Sequence, residues 1–266
     1  MFSILIIAGV CLIFSFLPLA EKGEKPNDKP KQSSNIVVFS PAEDDKIDFP
    51  FKVKGEARVF ENVLNLRLTE KDGEVLFEDF VVASSPDIGQ FGPFEKEINY
   101  LQKTPKDEDV ILKAFWFSPK DGSEIDIVSI PLKLKVGEIN TLKLFFNNDK
   151  LDPEFSCNKV FPVERIVSKT QTPARLALEL LLAGTTQKER ETGFLTSINY
   201  GVKIQRLVIE NGVVRVDFDE QLEFQVGGSC RVAAIRAQIT QTLKQFPTVK
   251  EVIISIDGRT EDILQP

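Results

Sequence analysis

Between Cys230 and Gly258 the chain reads as a helix running straight into a covered strand, and that pair limits what the surrounding residues can build. Val232, Ile235, Ile239, Leu243 and Phe246 recur at spacings of three or four with Ala233, Ala234 and Ala237 beside them, while Arg236, Gln238, Gln241, Lys244 and Gln245 take the other side. Pro247 stops the helix, because it has no amide hydrogen to donate to the preceding turn. Val252-Ile253-Ile254-Ser255-Ile256, closed by Asp257-Gly258, is rich enough in β-branched residues to be a strand with a covered face. In isolation the stretch is structural: a helix that needs a sheet beneath it.

The residues upstream supply strands for that purpose. Leu142 to Phe146 and Val160 to Val167 read as strands, and Thr172 before Pro173 suits an N-cap with proline at the first helical position. Leu176, Leu178, Leu181 and Leu182 give that helix its apolar stripe, and Gly184 ends it. Val202 to Ile209 and Val213 to Phe218, joined by Glu210-Asn211-Gly212, form the clearest hairpin, since Asn-Gly supplies the positive φ values of a tight turn. Residues 140–262 are therefore expected to form an α+β domain with two helices packed on one mixed sheet.

Before Gly137 the pattern is different. Leu64, Leu66 and Leu68 alternate with polar residues, Lys71-Asp72-Gly73 turns the chain into Val75 to Val82, and Ser118-Pro119-Lys120-Asp121-Gly122 joins Val110 to Phe117 to Ile125 to Val136. Ile125 and Ile127 are out of phase with Ile130, Leu132 and Leu134, which calls for a bulge near Val128-Ser129. With Ile36 to Phe39, Phe49 to Val53, Ala57 to Phe60 and Phe94 to Tyr100 the total is seven or eight strands, expected as a β-sandwich over residues 35–137.

Phe2 to Ala20 carries no charge and is long enough as a helix to reach most of the way across a bilayer. It reads as a cleaved signal peptide or a retained membrane anchor; the anchor is favoured, because Pro18 stands where a cleavage site has a small residue and no Lys or Arg precedes the run. Cys11 is a poor lipidation site, with Val10 before it. Glu21 to Ser34, with Pro26 and Pro30, is expected to be linker, and the remainder to be extracytoplasmic.

Composition narrows the chemistry. Across 266 residues, 33 Lys and Arg against 40 Asp and Glu leave a net charge of −7, which repels nucleic acid. There is no histidine, so histidine-based triads and histidine-ligated zinc are excluded. One Trp and two Tyr against 21 Phe offer little platform for sugar rings. Asp217 and Asp219, alternating beside Glu220, are the best acid/base pair available, although a solvated strand end accounts for them better. Glu43-Asp44-Asp45 and Asp107-Glu108-Asp109 lack calcium-loop spacing, and Ser229 after Gly227-Gly228 has no base to activate it. Neither a cofactor nor a metal is expected.

Ser40-Pro41, Gly55-Glu56-Ala57-Arg58-Val59-Phe60-Glu61, Ser118-Pro119-Lys120-Asp121-Gly122 and Ile130-Pro131 resemble the immunoglobulin-like domain of bacterial spore germination proteins. A second set is similar to the GerMN domain of sporulation and germination proteins: Phe145-Phe146-x-Asn148, Val163-x-Arg165, Leu178-Glu179-Leu180-Leu181, Glu189 and Val216-Asp217-Phe218. Its closing part is Gln238-Ile239-x-x-Thr242-Leu243-x-x-Phe246-Pro247-x-Val249, then Asp257-Gly258; Thr185 departs from the proline frequent in that family. The resemblance implies a non-catalytic extracytoplasmic binding or assembly module of the bacterial cell envelope. Its implied partners are envelope proteins, further copies of itself or peptidoglycan; the alternative is a carboxylate-dependent cell-wall-modifying enzyme. Arg58, Glu61, Arg165 and Asp217 are the candidate interaction residues. With Cys11 set aside, Cys157 and Cys230 remain in an exported domain and are expected to form a disulfide, against the alternatives of two unpaired buried thiols or a reactive Cys230 at a helix N-terminus.

Overall fold

The structure, a computed structural model, describes residues 30–154 and 156–265; the apolar run at 2–20, Cys11 and most of the segment 21–34 lie outside them. In the first half the strands are β1 (Lys31–Gln32), β2 (Ile36–Ser40), β3 (Lys46–Asp48), β4 (Phe51–Ala57), β5 (Val63–Glu70), β6 (Val75–Val82), β7 (Gly92–Ile98), β8 (Asp109–Phe117) and β9 (Glu124–Lys135). They form a four-stranded sheet ordered β1-β2-β4-β7 and a five-stranded sheet ordered β3-β9-β8-β5-β6. Alternation drives both: Phe51, Val53 and Ala57 of β4, Leu64, Leu66 and Leu68 of β5, and Ile130, Leu132 and Leu134 of β9 are buried in one core. Each of these side chains other than that of Ala57 contributes about 1.5–3 kcal/mol.

Four expectations for this half are corrected. Lys31–Gln32, read as linker, pairs with Val37 and Val38 as an edge strand. The short β3, absent from the expected set, runs parallel to β9. Ala57 ends β4, and Phe60–Asn62 forms a 3-10 turn with Glu61 and Asn62 at positive φ, because the chain leaves one sheet for the other there. The bulge lies at Asp126-Ile127 instead of Val128-Ser129: Ala114 pairs with Val128 and Trp116 with Ile125, leaving two residues opposite Phe115. Asp126 takes a φ of 53° there, and its carboxylate accepts bonds from Trp116 Nε1 at 2.8 Å and Asn35 Nδ2 at 2.7 Å.

The second half contains β10 (Ile139–Asn148), β11 (Phe161–Ser168), α1 (Pro173–Leu182), α2 (Gln187–Glu191), β12 (Phe194–Leu195), β13 (Ile204–Glu210), β14 (Val213–Phe218), α3 (Ser229–Lys244) and β15 (Glu251–Ile256). Asn211 at φ 51° and Gly212 at φ 84° make the expected tight turn between β13 and β14. One mixed sheet carrying two helices is not what forms. There are two three-stranded sheets, β11-β10-β12 and β13-β14-β15, and a third short helix, α2. β12 pairs with only the end of β10, at Asn147–Leu195 and Asn148–Phe194, and further along β10 the Phe145 and Lys143 amides donate to Thr242 Oγ1 and Gln245 Oε1, so the hairpin does not join there. α3 instead packs against α1, β10 and β15 and bridges the two sheets.

Thr172 stands at the start of α1 as expected, but its side chain makes no capping bond. Gln238, assigned by periodicity to the solvent side of α3, is fully buried. It donates to Asn147 Oδ1 at 2.7 Å and to the Leu195 carbonyl, and accepts from the Thr196 hydroxyl, so its amide is satisfied. Among the described residues no helix is long and apolar enough to cross a membrane.

Candidate functional site

The two halves meet at a side-chain cluster that draws on both. After β7 the chain continues through Tyr100 and Leu101, and Leu101 exchanges a pair of backbone hydrogen bonds with Ile166 of β11, at 2.7 and 2.8 Å. Next to Ile166, Arg165 is only 2% exposed. Its guanidinium donates to both Glu189 carboxylate oxygens, at 2.6 and 2.8 Å, and lies 4.7 Å from the centre of the Tyr100 ring. Glu189 also accepts the Thr186 amide at 2.8 Å while the Thr186 hydroxyl accepts the Glu189 amide, a capping box that starts α2. Ser168 Oγ donates to the Phe49 carbonyl at 2.9 Å and adds a second tie between the halves.

The electrostatics follow from burial and pairing. Burial by itself lowers the pKa of Arg165, but the hydrogen bonds and charge of Glu189 outweigh it, so the guanidinium is held above its ordinary value. Burial pushes the Tyr100 hydroxyl well up, opposed by the Arg165 charge. Alongside runs a cleft of about 760 Å³ lined by Asp79, Phe80 and Lys96 from one half and Arg175, Glu179 and Tyr200 from the other. Lys96 pairs with Asp79 and Arg175 with Glu179, while Phe80 and Tyr200 stand 42% and 82% exposed. Such a cleft offers aromatic surface and neutralised charge.

Arg165 is thus placed in the junction, bonded within the chain and closed to outside partners. Arg58 and Glu61, two of the candidate interaction residues, are both exposed, but Arg58 turns to Asn35 Oδ1 at 3.1 Å and to the Phe91 ring at 4.9 Å. Asp217 on β14 accepts from Ser255 Oγ at 2.6 Å and from the Gly258 amide at 2.9 Å, whereas Asp219 accepts from the Lys203 amide at 3.0 Å. The two carboxylates therefore serve different backbone segments. Cys157 and Cys230 are disulfide-bonded, with their Cα atoms 5.0 Å apart, fixing the 157 loop to the first turn of α3 beside Gly228 at φ 83°.

A cluster that sequence inspection missed lies at the turn after β5. Glu70, Asp72 and Glu74 bring their carboxylates within reach of a common cation, and the chain supplies that cation: Lys106 Nζ lies 3.3, 3.0 and 2.7 Å from them. Their hydrogen bonds, that to Glu74 first, hold Lys106 well above an ordinary lysine. The alternation Glu-x-Asp-x-Glu was visible, but the lysine that fills it comes from a distant loop, 34 positions beyond Asp72.

Comparison with known proteins matches two separate stretches of the chain. Residues 35–123 match the family model of the immunoglobulin-like domain of bacterial spore germination, and residues 143–262 match that described as sporulation and spore germination. Among solved structures, the first GerMN domain of the sporulation protein GerM from Bacillus subtilis is 19% identical, with a TM-score of 0.35 over 46% of this chain and 85% of that one. The tandem GerMN domains of the same protein are 19% identical, with a TM-score of 0.34 over 46% of this chain and 41% of that one. A search of curated protein sequences finds no significant match. The chain therefore carries an immunoglobulin-like domain of bacterial spore germination followed by a sporulation and spore germination domain.

Proposed function

We propose that the chain is a non-catalytic, extracytoplasmic module of the bacterial cell envelope that works by association, holding an immunoglobulin-like sandwich and a GerMN-like domain in a set relation. Its partners are envelope proteins, further copies of itself or peptidoglycan. The observation that carries this reading is the junction: Tyr100 and Leu101 from one germination-family domain close on Arg165 and Ile166 of the other, so the pair acts as one unit. Two further facts support it. A Cys157–Cys230 disulfide suits an oxidising compartment outside the cytoplasm, and the uncharged run from Phe2 to Ala20 suits export.

Crosslinking in intact envelopes followed by purification of the full chain tests association, and a peptidoglycan turnover assay run beside it tests catalysis. Retention with envelope protein or polymer and no turnover is the expected result. Turnover that Asp217→Asn abolishes while the fold persists would overturn the reading in favour of a carboxylate enzyme, and recovery of the chain as a cytosolic monomer would overturn the location.

A further inference from the structure

We propose that the outer face of the β13-β14-β15 sheet docks an extended acidic segment of a partner protein, with Arg206 and Arg215 receiving two of its carboxylates. This deepens the association function above and rests on it. Val214, Val216, Phe218, Ile254 and Ile256 turn inward to the core, which leaves the alternate residues on the opposite face. That face is a concavity of about 730 Å³ with Arg206, Val208, Val213, Arg215 and Ile253 along it.

The charge distribution identifies the occupant. Every other arginine is engaged within the chain by a hydrogen bond or ion pair, from Arg67 on Glu78 to Arg259 on Glu223. Arg206 and Arg215 alone have no such partner among the described residues, and they stand together in a chain of net charge −7. Arg206 faces Asp217 across the ladder, but the hydrogen bonds that Asp217 accepts come from Ser255 and Gly258, both at Oδ1, and no ion pair joins it to either arginine. Arg215 pairs in register with Val208, two residues beyond Arg206, so the two guanidinium-bearing positions are diagonal neighbours about 7–8 Å apart. In an extended peptide, side chains at i and i+2 share a face about 7 Å apart, so an acid-x-acid segment meets both.

Val208, Val213 and Ile253 then offer contact to apolar side chains flanking the acids. Glu210 and Glu251, in register with Val213, bound one end of the face and oppose a uniformly anionic polymer, which is why a mixed acidic and apolar polypeptide fits better than a polyphosphate.

The test titrates the full chain with three probes: the capped peptide Leu-Ser-Glu-Ser-Glu-Ser-Leu, its counterpart with Gln at both Glu positions, and inorganic polyphosphate. Binding is read by calorimetry and by amide shifts at Val208, Arg215 and Ile253. The Glu peptide is expected to bind, to weaken about tenfold or more in the Gln form and in the R206Q/R215Q chain, and to weaken with added salt. Absence of binding, equal binding of the two peptides, no effect of R206Q/R215Q, or tighter binding of polyphosphate would each overturn the inference. Envelope association that persists in R206Q/R215Q would remove this docking face and leave the association function standing, whereas peptidoglycan turnover strikes that function whichever peptide binds.

Discussion

Arg165 shows how one side chain carries several levels of this structure. It is nearly fully buried, bonded to Glu189 through both nitrogens and laid on Tyr100, so truncation would strand a largely buried carboxylate as well as remove a contact. Arg165→Ala should cost about 3 kcal/mol in chemical denaturation, whereas Arg165→Met combined with Glu189→Gln should recover much of that loss, since both charges then leave together. Equal losses in the two variants would show that packing, and not the stranded charge, sets the cost. Tyr100 gives a pH signature with a definite sign. Its folded-state pKa is raised, chiefly by burial, so its contribution is whole below pH ~10 and is lost as pH rises toward the folded value. In a Tyr200→Phe chain the phenolate absorbance of Tyr100 should appear together with loss of far-ultraviolet dichroism; ionisation preceding unfolding would contradict this.

Local elements were legible where one periodicity ruled and obscure where tertiary partners decided. The disulfide was legible by counting, and it closes a loop with a sequence separation of 73. Removing it in Cys157→Ser/Cys230→Ser should lower stability by about 4 kcal/mol in the chain-entropy model, seen as a reduced urea midpoint with a slope that rises as the uncrosslinked unfolded chain exposes more surface. A change below about 1 kcal/mol would mean that the reduced, unfolded chain keeps structure around these positions. The Asn211-Gly212 hairpin, α1, α3 and the strand pairs of the first half were equally readable, because turn chemistry and apolar spacing agreed there. α2 escaped notice: its five residues, Gln187–Glu191, are all polar and have no apolar stripe, and what signals it is the Thr186 to Glu189 capping spacing. Gln238 misled for the opposite reason, since a buried amide satisfied by Asn147, Leu195 and Thr196 looks like a surface residue in a periodicity count. The two sheets of the second half escaped notice because Phe194–Leu195 is only two residues long and because the Thr242 and Gln245 side chains that take the Phe145 and Lys143 amides carry no periodic signal. Of the candidate interaction residues, Arg165 was singled out by its motif, but only the fold reveals that its partners are Glu189 and Tyr100, 24 and 65 positions away, and that it faces inward.

For the molecule as a whole the question is whether two domains joined in one chain move independently, which is the ordinary expectation when the interface between them is modest. Here the connection between β9 and β10 is only residues 136–138, so the halves are held close at one point by the covalent chain. The Leu101–Ile166 backbone pair, the Ser168 bond to Phe49 and the Arg165–Tyr100 contact pin them at others. A domain pair tied at these points cannot swing about its linker without breaking the Leu101–Ile166 backbone bonds or stripping the Arg165 cation from the Tyr100 ring. The first of these losses is about 1 kcal/mol per bond and the second up to about 2 kcal/mol when desolvated. Calorimetry of the full chain should accordingly give one transition with calorimetric and van't Hoff enthalpies in agreement. Tyr100→Leu together with Arg165→Met and Glu189→Gln should split it into two, because that triple variant removes the coupling while leaving each core with an apolar or neutral replacement of similar size. Small-angle scattering on the same sample should show a larger radius of gyration with each half still folded by dichroism. Two transitions in the unaltered chain, or a single one surviving in the triple variant, would mean that the junction is contact without coupling.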